Sequence, residues 1–173
     1  LIATGQVRRG LVVTGEQGTR YIQKAMDALS QTKDRKAFLK LVGGLTLGDA
    51  GAALIMGPKL GPESGFMGFM LQSQGQYSRL CTCGKRGGES PLETDMTDIV
   101  EQNRRLHSAM YKEFMVKLRW RSDQIAKFVH HQVGKNVFRH HAQYSGIAHG
   151  IMTNTVGKLG NLVTATIPVN IYN

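Results

Sequence analysis

The chain has 173 residues, 41% hydrophobic and 20% charged, which suits one folded domain with a buried core and excludes disorder. Its 22 basic against 12 acidic residues leave a net charge of +10, pointing to an anionic partner or to solvated basic faces. Two cysteines one residue apart, Cys81 and Cys83, exclude a disulfide framework and fit a reducing, cytoplasmic setting. No 18-residue apolar run predicts a membrane span and no secretory leader is legible.

Residues 1–7 read as the tail of a helix closed by Arg8, Arg9 and Gly10. The β-branched run over residues 10–15 predicts a strand buried on both faces of a parallel or mixed sheet. Helices follow over 19–29, where Ile22, Ala25, Met26 and Leu29 share one face, and over 34–42. Residues 45–57 predict a second strand whose small side chains permit close backbone approach. Pro58, Gly61 and Pro62 then mark a boundary between two halves, and residues 66–71 restart as a strand. Residues 77–88 read as an irregular loop. Ser90, Pro91 and Glu93 predict a helix start with Ser90 as the cap, and Ile99, Leu106, Met110, Phe114 and Leu118 form the apolar face of a long amphipathic helix. A short apolar strand-like run over 125–129 leads to a helix over 136–144. A polar loop at 153–161 precedes a helix over 162–171 that tolerates Pro168 near its start. Alternating strands and helices imply α/β layering. The absence of an initiating methionine and the open ending at Asn173 read as two cut ends.

Six histidines draw attention first. The adjacent pairs His130-His131 and His140-His141 each offer one ligand direction, but a zinc site needs several ligands converging from one face. No second cysteine pair completes a thiolate site with Cys81 and Cys83, so no metal is expected. His131 stands apart because it ends a strand-like run, where α/β folds place their ligands. Asn161 follows thirty residues later in a polar turn. An imidazole and a carboxamide both donate hydrogen bonds without permanent charge, a pairing suited to a developing enolate oxygen. Between Arg104 and Arg139 lie nine Lys or Arg against Glu113 and Asp123, either a solvated helix face or a docking surface. No aromatic stacking platform accompanies the charge, which argues against nucleic acid.

Four segments carry a resemblance. Phe128-Val129-His130-His131-Gln132-Val133 is similar to the "v-p-H-Q-a" signature of the β-ketoacyl-acyl-carrier-protein synthase III family. Gly160-Asn161-Leu162-Val163-Thr164-Ala165-Thr166-Ile167-Pro168 is similar to its "G-N-t-s-a-a-S-i-P" signature. Leu47-Gly48-Asp49-Ala50-Gly51-Ala52-Ala53 resembles its "f-G-D-G-A-G-A" strand, and Gly10-Leu11-Val12-Val13-Thr14-Gly15-Glu16 its "vLvvgsE" strand. The resemblance implies a thiolase-like layered αβαβα fold, incomplete here, with residues 1–60 ending the N-terminal half and 61–173 starting the C-terminal half. It further implies a decarboxylative Claisen condensation of an acyl thioester with malonyl-thioester in fatty acid or related biosynthesis. His131 and Asn161 would hold the thioester carbonyl, and the nucleophilic cysteine would lie outside this chain. No cofactor is expected beyond the coenzyme A and acyl-carrier-protein thioesters themselves.

Under the same resemblance, Lys135, Arg139 and Gly160 are the candidates for binding substrate or the acidic acyl carrier protein, with Asp49 shaping backbone rather than catalysing. The protein would be a homodimer, or a heteromer with a chain that brings the cysteine. Gly134 replaces the family's usual asparagine. Together with Val133, the loop near Arg35 and Gly44-Leu45-Thr46-Leu47-Gly48, it resembles the branch that condenses two long acyl-CoA chains in olefin biosynthesis. A non-catalytic partner subunit is the remaining alternative.

Overall fold

The computed structural model describes residues 1–62, 64–83 and 90–173. The first apolar run becomes β1 (Gly10–Gln17) and the small-residue run becomes β2 (Asp49–Met56). They pair antiparallel, with Gly10 opposite Met56 and Gln17 opposite Asp49. This corrects the expected parallel or mixed pairing with both faces buried. Leu11, Val13 and Ile55 are 64%, 67% and 77% exposed. The reason lies in the connection. Helix α1 (Thr19–Ser30) packs on the turn at Gly44–Thr46, and α2 (Arg35–Leu41) packs on β4 (Leu92–Thr94), so neither helix blankets the β1–β2 ladder.

Both early helices start where polar groups hold them. The Asp49 carboxylate, from the first position of β2, accepts from Thr19 N at 2.8 Å and from Thr19 Oγ1 at 2.5 Å. These bonds hold its pKa below the usual value, the hydroxyl bond contributing most. Asp49 therefore serves a helix end. Asp34 caps α2 by accepting from Lys36 N at 3.0 Å.

The middle of the chain departs most from expectation. Residues 1–7 form turns rather than a helix tail, and residues 66–71 form no strand: Phe66, Phe69 and Leu71 stay 80%, 74% and 85% exposed, without a ladder partner among the described residues. Part of the expected 77–88 loop is ordered as a 3-10 turn (Gly75–Leu80) followed by β3 (Cys81–Cys83); residues 84–88 lie outside the described residues. β3 pairs antiparallel with β4. That ladder takes Leu92 and Glu93 away from the helix predicted at Ser90. Asp95 becomes the cap instead, accepting from Asp98 N at 3.1 Å, and α3 runs over Met96–Leu118. It stops where Arg119 adopts φ 56°.

Beyond α3, the apolar run 125–129 makes only one parallel bridge, Phe128 with Met152. Helix α4 (Lys135–Ser145) packs against α3, and its Phe138 and Ala142 join Ile147 and Met152 in the principal apolar cluster. The loop expected at 153–161 contains a single helical turn, α5 (Val156–Leu159), and the last helix is split into a 3-10 turn (Val163–Ala165) and α6 (Thr166–Tyr172). The Val163–Ala165 turn packs on β1 and β2, and α6 on β2. Contacts thus cross the boundary expected near residue 60: Glu16 accepts from Thr164 N at 3.1 Å, and Thr14 hydrogen-bonds Thr164 through their hydroxyls.

Candidate active site

Asn161 is fixed by backbone on both sides. Its N–H donates to Thr46 O at 2.7 Å, and its carbonyl accepts from Gly48 N at 3.0 Å, joining it to Leu47 in a parallel bridge. Gly160 makes this approach possible. It sits at φ 74°, and a Cβ there would lie 2.8 Å from Thr46 O and 2.9 Å from Leu47 O. Only glycine fits. A Cβ on Gly48 would likewise collide with Leu159 O.

His131 and Asn161 meet through one residue. Asn161 Oδ1 accepts from Val163 N at 2.9 Å, and the Val163 backbone acts on the His131 ring, raising its pKa against the effect of burial. With Oδ1 engaged, the unengaged polar edge of the carboxamide is its donating NH₂. Val163 itself stands at φ 49°, an outlying conformation for a β-branched side chain. Burial pushes the His131 pKa down, and the Val163 backbone opposes it. His131 lines the cavity and remains exposed, and its lowered pKa favours the neutral imidazole at neutral pH.

That cavity measures about 1010 Å³ and is lined by both His131 and Asn161. Leu106 and Met110 from α3, with Val133 and Val137, make much of its surface apolar. Glu16 also lines it, held by Thr164. Sequence reasoning assigned Glu16 no role, although a carboxylate closing an apolar strand was the available signal. Cys81 and Cys83 reach the cavity too. Burial, and then Cys83, raise the Cys81 pKa, which favours the thiol over the nucleophilic thiolate.

Gln132 holds the histidine segment in place. It is 2% exposed; Oε1 accepts from Thr155 N and Val156 N, each at 3.0 Å, and Nε2 donates to Thr153 O at 2.7 Å. Asn170 of α6 extends the network, donating to Thr155 Oγ1 at 3.0 Å and Thr166 O at 2.8 Å. Lys135 and Arg139 are exposed and do not line the cavity; the Lys135 side chain lies across Gly157 of α5. Gly160 acts on Asn161 through backbone fit. Among the described residues, no three His, Cys, Asp or Glu side chains are arranged to hold a metal, and no helix is long and apolar enough to cross a membrane.

Residues 115–173 match the family model of the C-terminal region of 3-oxoacyl-[acyl-carrier-protein] synthase III. A cysteine-to-serine variant of Xanthomonas campestris OleA, solved with bound lauric acid and lauroyl-CoA, superposes with a TM-score of 0.87 at 23% identity, over 98% of this chain and 50% of that one. The chain has the thiolase-like fold of that structure. Two curated relatives are both named acyl-CoA:acyl-CoA alkyltransferase. One, from Xanthomonas campestris, is 24% identical over 98% of this chain and 50% of its own length; the other, from Shewanella oneidensis, is 23% identical over 97% and 51%. The chain thus spans about half the length of the curated relatives it matches.

Proposed function

We propose that this chain supplies the enolate-stabilising part of an acyl-thioester condensing enzyme that joins two acyl-CoA molecules. The convergence of His131 and Asn161 on Val163, at the wall of a large apolar cavity, carries the reading. In the proposed reaction an acyl group is first transferred to a cysteine outside this chain, releasing coenzyme A. A second acyl-CoA gives its α-proton to a carboxylate base, for which Glu16 at the cavity wall is the candidate, and its thioester oxygen becomes the enolate oxygen set against the His131 imidazole and the Asn161 NH₂. The Asn161 NH₂ donates to the anion as it forms, and the neutral His131 ring joins it when its single N–H turns to the enolate oxygen instead of the Val163 backbone. The α-carbon then attacks the acyl-cysteine carbonyl, forming the carbon–carbon bond and expelling the thiolate. The names of the relatives favour this route over the malonyl-dependent one that the first motif match implied.

The full-length protein given a long-chain acyl-CoA as sole substrate should release coenzyme A and a β-keto product. Turnover only when malonyl-thioester is added would reverse the choice of donor. Labelling by acyl-CoA at Cys81 or Cys83, read by peptide mass, would overturn the assignment of the nucleophile to another segment or chain.

A further inference from the structure

The condensation leaves three cavity histidines unused. His107 from α3, His130 beside His131, and His141 from α4 line the same cavity. Their ring centroids lie 4.0 Å apart for His107 and His141, and 5.1 Å for His130 and His141. His130 and His141 are 6% and 8% exposed. Neither ring nitrogen of His130 has a hydrogen-bond partner among the described residues, nor does Nε2 of His141. His107 Nδ1 meets Ser145 Oγ at 3.0 Å. The surroundings are aromatic: Phe128 stacks on His130 at 5.6 Å and Phe138 lies 5.5 Å from it.

A wall that only filled space would carry phenylalanine or leucine at these positions. Buried polar atoms without partners are rare, and each needs a reason. Burial holds all three rings neutral, so an anion finds no charge here. No metal-holding arrangement exists among the described residues. A neutral imidazole presents one donor and one acceptor, which a hydroxyl group complements and a methylene does not.

We propose that His107, His130 and His141 form a polar subsite for a hydroxyl group carried on the acyl chain of the substrate. The proposal rests on the reading of the cavity as an acyl-thioester site. It makes oxygenated acyl chains a preferred substrate class. Discrimination would come from the unpaired imidazoles, since a site built to hydrogen-bond a hydroxyl rejects the analogue lacking it.

The test is calorimetric binding of full-length protein to acyl-CoAs of one chain length, unsubstituted or hydroxylated at successive carbons. At least one positional isomer should bind about tenfold tighter than the unsubstituted chain. His130→Phe should collapse that ratio towards one; His141→Leu provides the same reading should the first variant fold poorly. Equal binding of all isomers, or a preference that survives both substitutions, overturns the subsite alone. No binding of any acyl-CoA overturns the acyl-thioester reading and the subsite with it.

Discussion

Asn161 shows how little freedom the proposed site allows a single side chain. Its backbone is bound to Thr46 and Gly48 and its Oδ1 to Val163 N, so the carboxamide cannot flip without losing a bond. The orientation matters because the task requires a donor. Asn161→Asp retains the Val163 bond but replaces the donating NH₂ with an acceptor oxygen. Condensation should fall about 100-fold, while the urea unfolding midpoint stays near wild type because the backbone bonds survive. Retained turnover in the aspartate variant would remove Asn161 from the chemistry. Both candidate residues, His131 and Asn161, were legible in the sequence because their motifs are short and local. Val163 was not. Its role depends on a positive φ and on the distant His131 as well as the nearby Asn161, neither of which residue type announces.

At the level of elements, the cavity is held by a tie between segments rather than by a continuous sheet. Gln132 links the histidine segment to the turn at residues 153–156, and Asn170 carries the link to α6. Gln132→Leu strands Thr155 N, Val156 N and Thr153 O, and should destabilise the protein by roughly 2–4 kcal/mol. Gln132→Glu keeps the two acceptor contacts and should recover part of both stability and kcat. A positioning role requires kcat to follow the tie; if urea midpoints drop in both variants while kcat stays at the wild-type value, Gln132 is structural only. The helical spacing of apolar residues made α1 and α3 readable, because one apolar face repeats along each. Strands fared worse. The run at residues 66–71 has strand composition but pairs with no strand among the described residues. Leu92 and Glu93 sit in a good helix-start sequence, yet a ladder to β3 wins, and the start shifts to Asp95. Pairing is a long-range event, and local propensity carries no information about it.

Over the whole molecule, histidine burial sets a pH response that the formal charge of +10 does not reveal. Burial first, and neighbouring histidines second, push the pKa of His130 down to about 4 and that of His141 to about 3, while burial lowers His107 and His131 as well. An unfolded chain titrates its histidines near pH ~6.5. Above that value both states are neutral and the rings contribute nothing pH-dependent. As pH falls below it, the unfolded chain binds protons that the folded one refuses, so stability is lost towards the folded values. At about pH 5 the loss is about 2 kcal/mol for each of His130 and His141. The depressed carboxylates Asp49 and Glu101 act in the same direction, but Glu101 has been brought to about 2, so their stabilisation is lost only at still lower pH. Added positive charge would also strain a basic chain on acidification, and a variant separates the two effects. Urea midpoints measured at about pH 7.5 and 5 should drop markedly in wild type and much less in the double variant His130→Phe, His141→Phe. An equal drop in both proteins would assign the acid sensitivity to net charge and leave the buried imidazoles without a part in it.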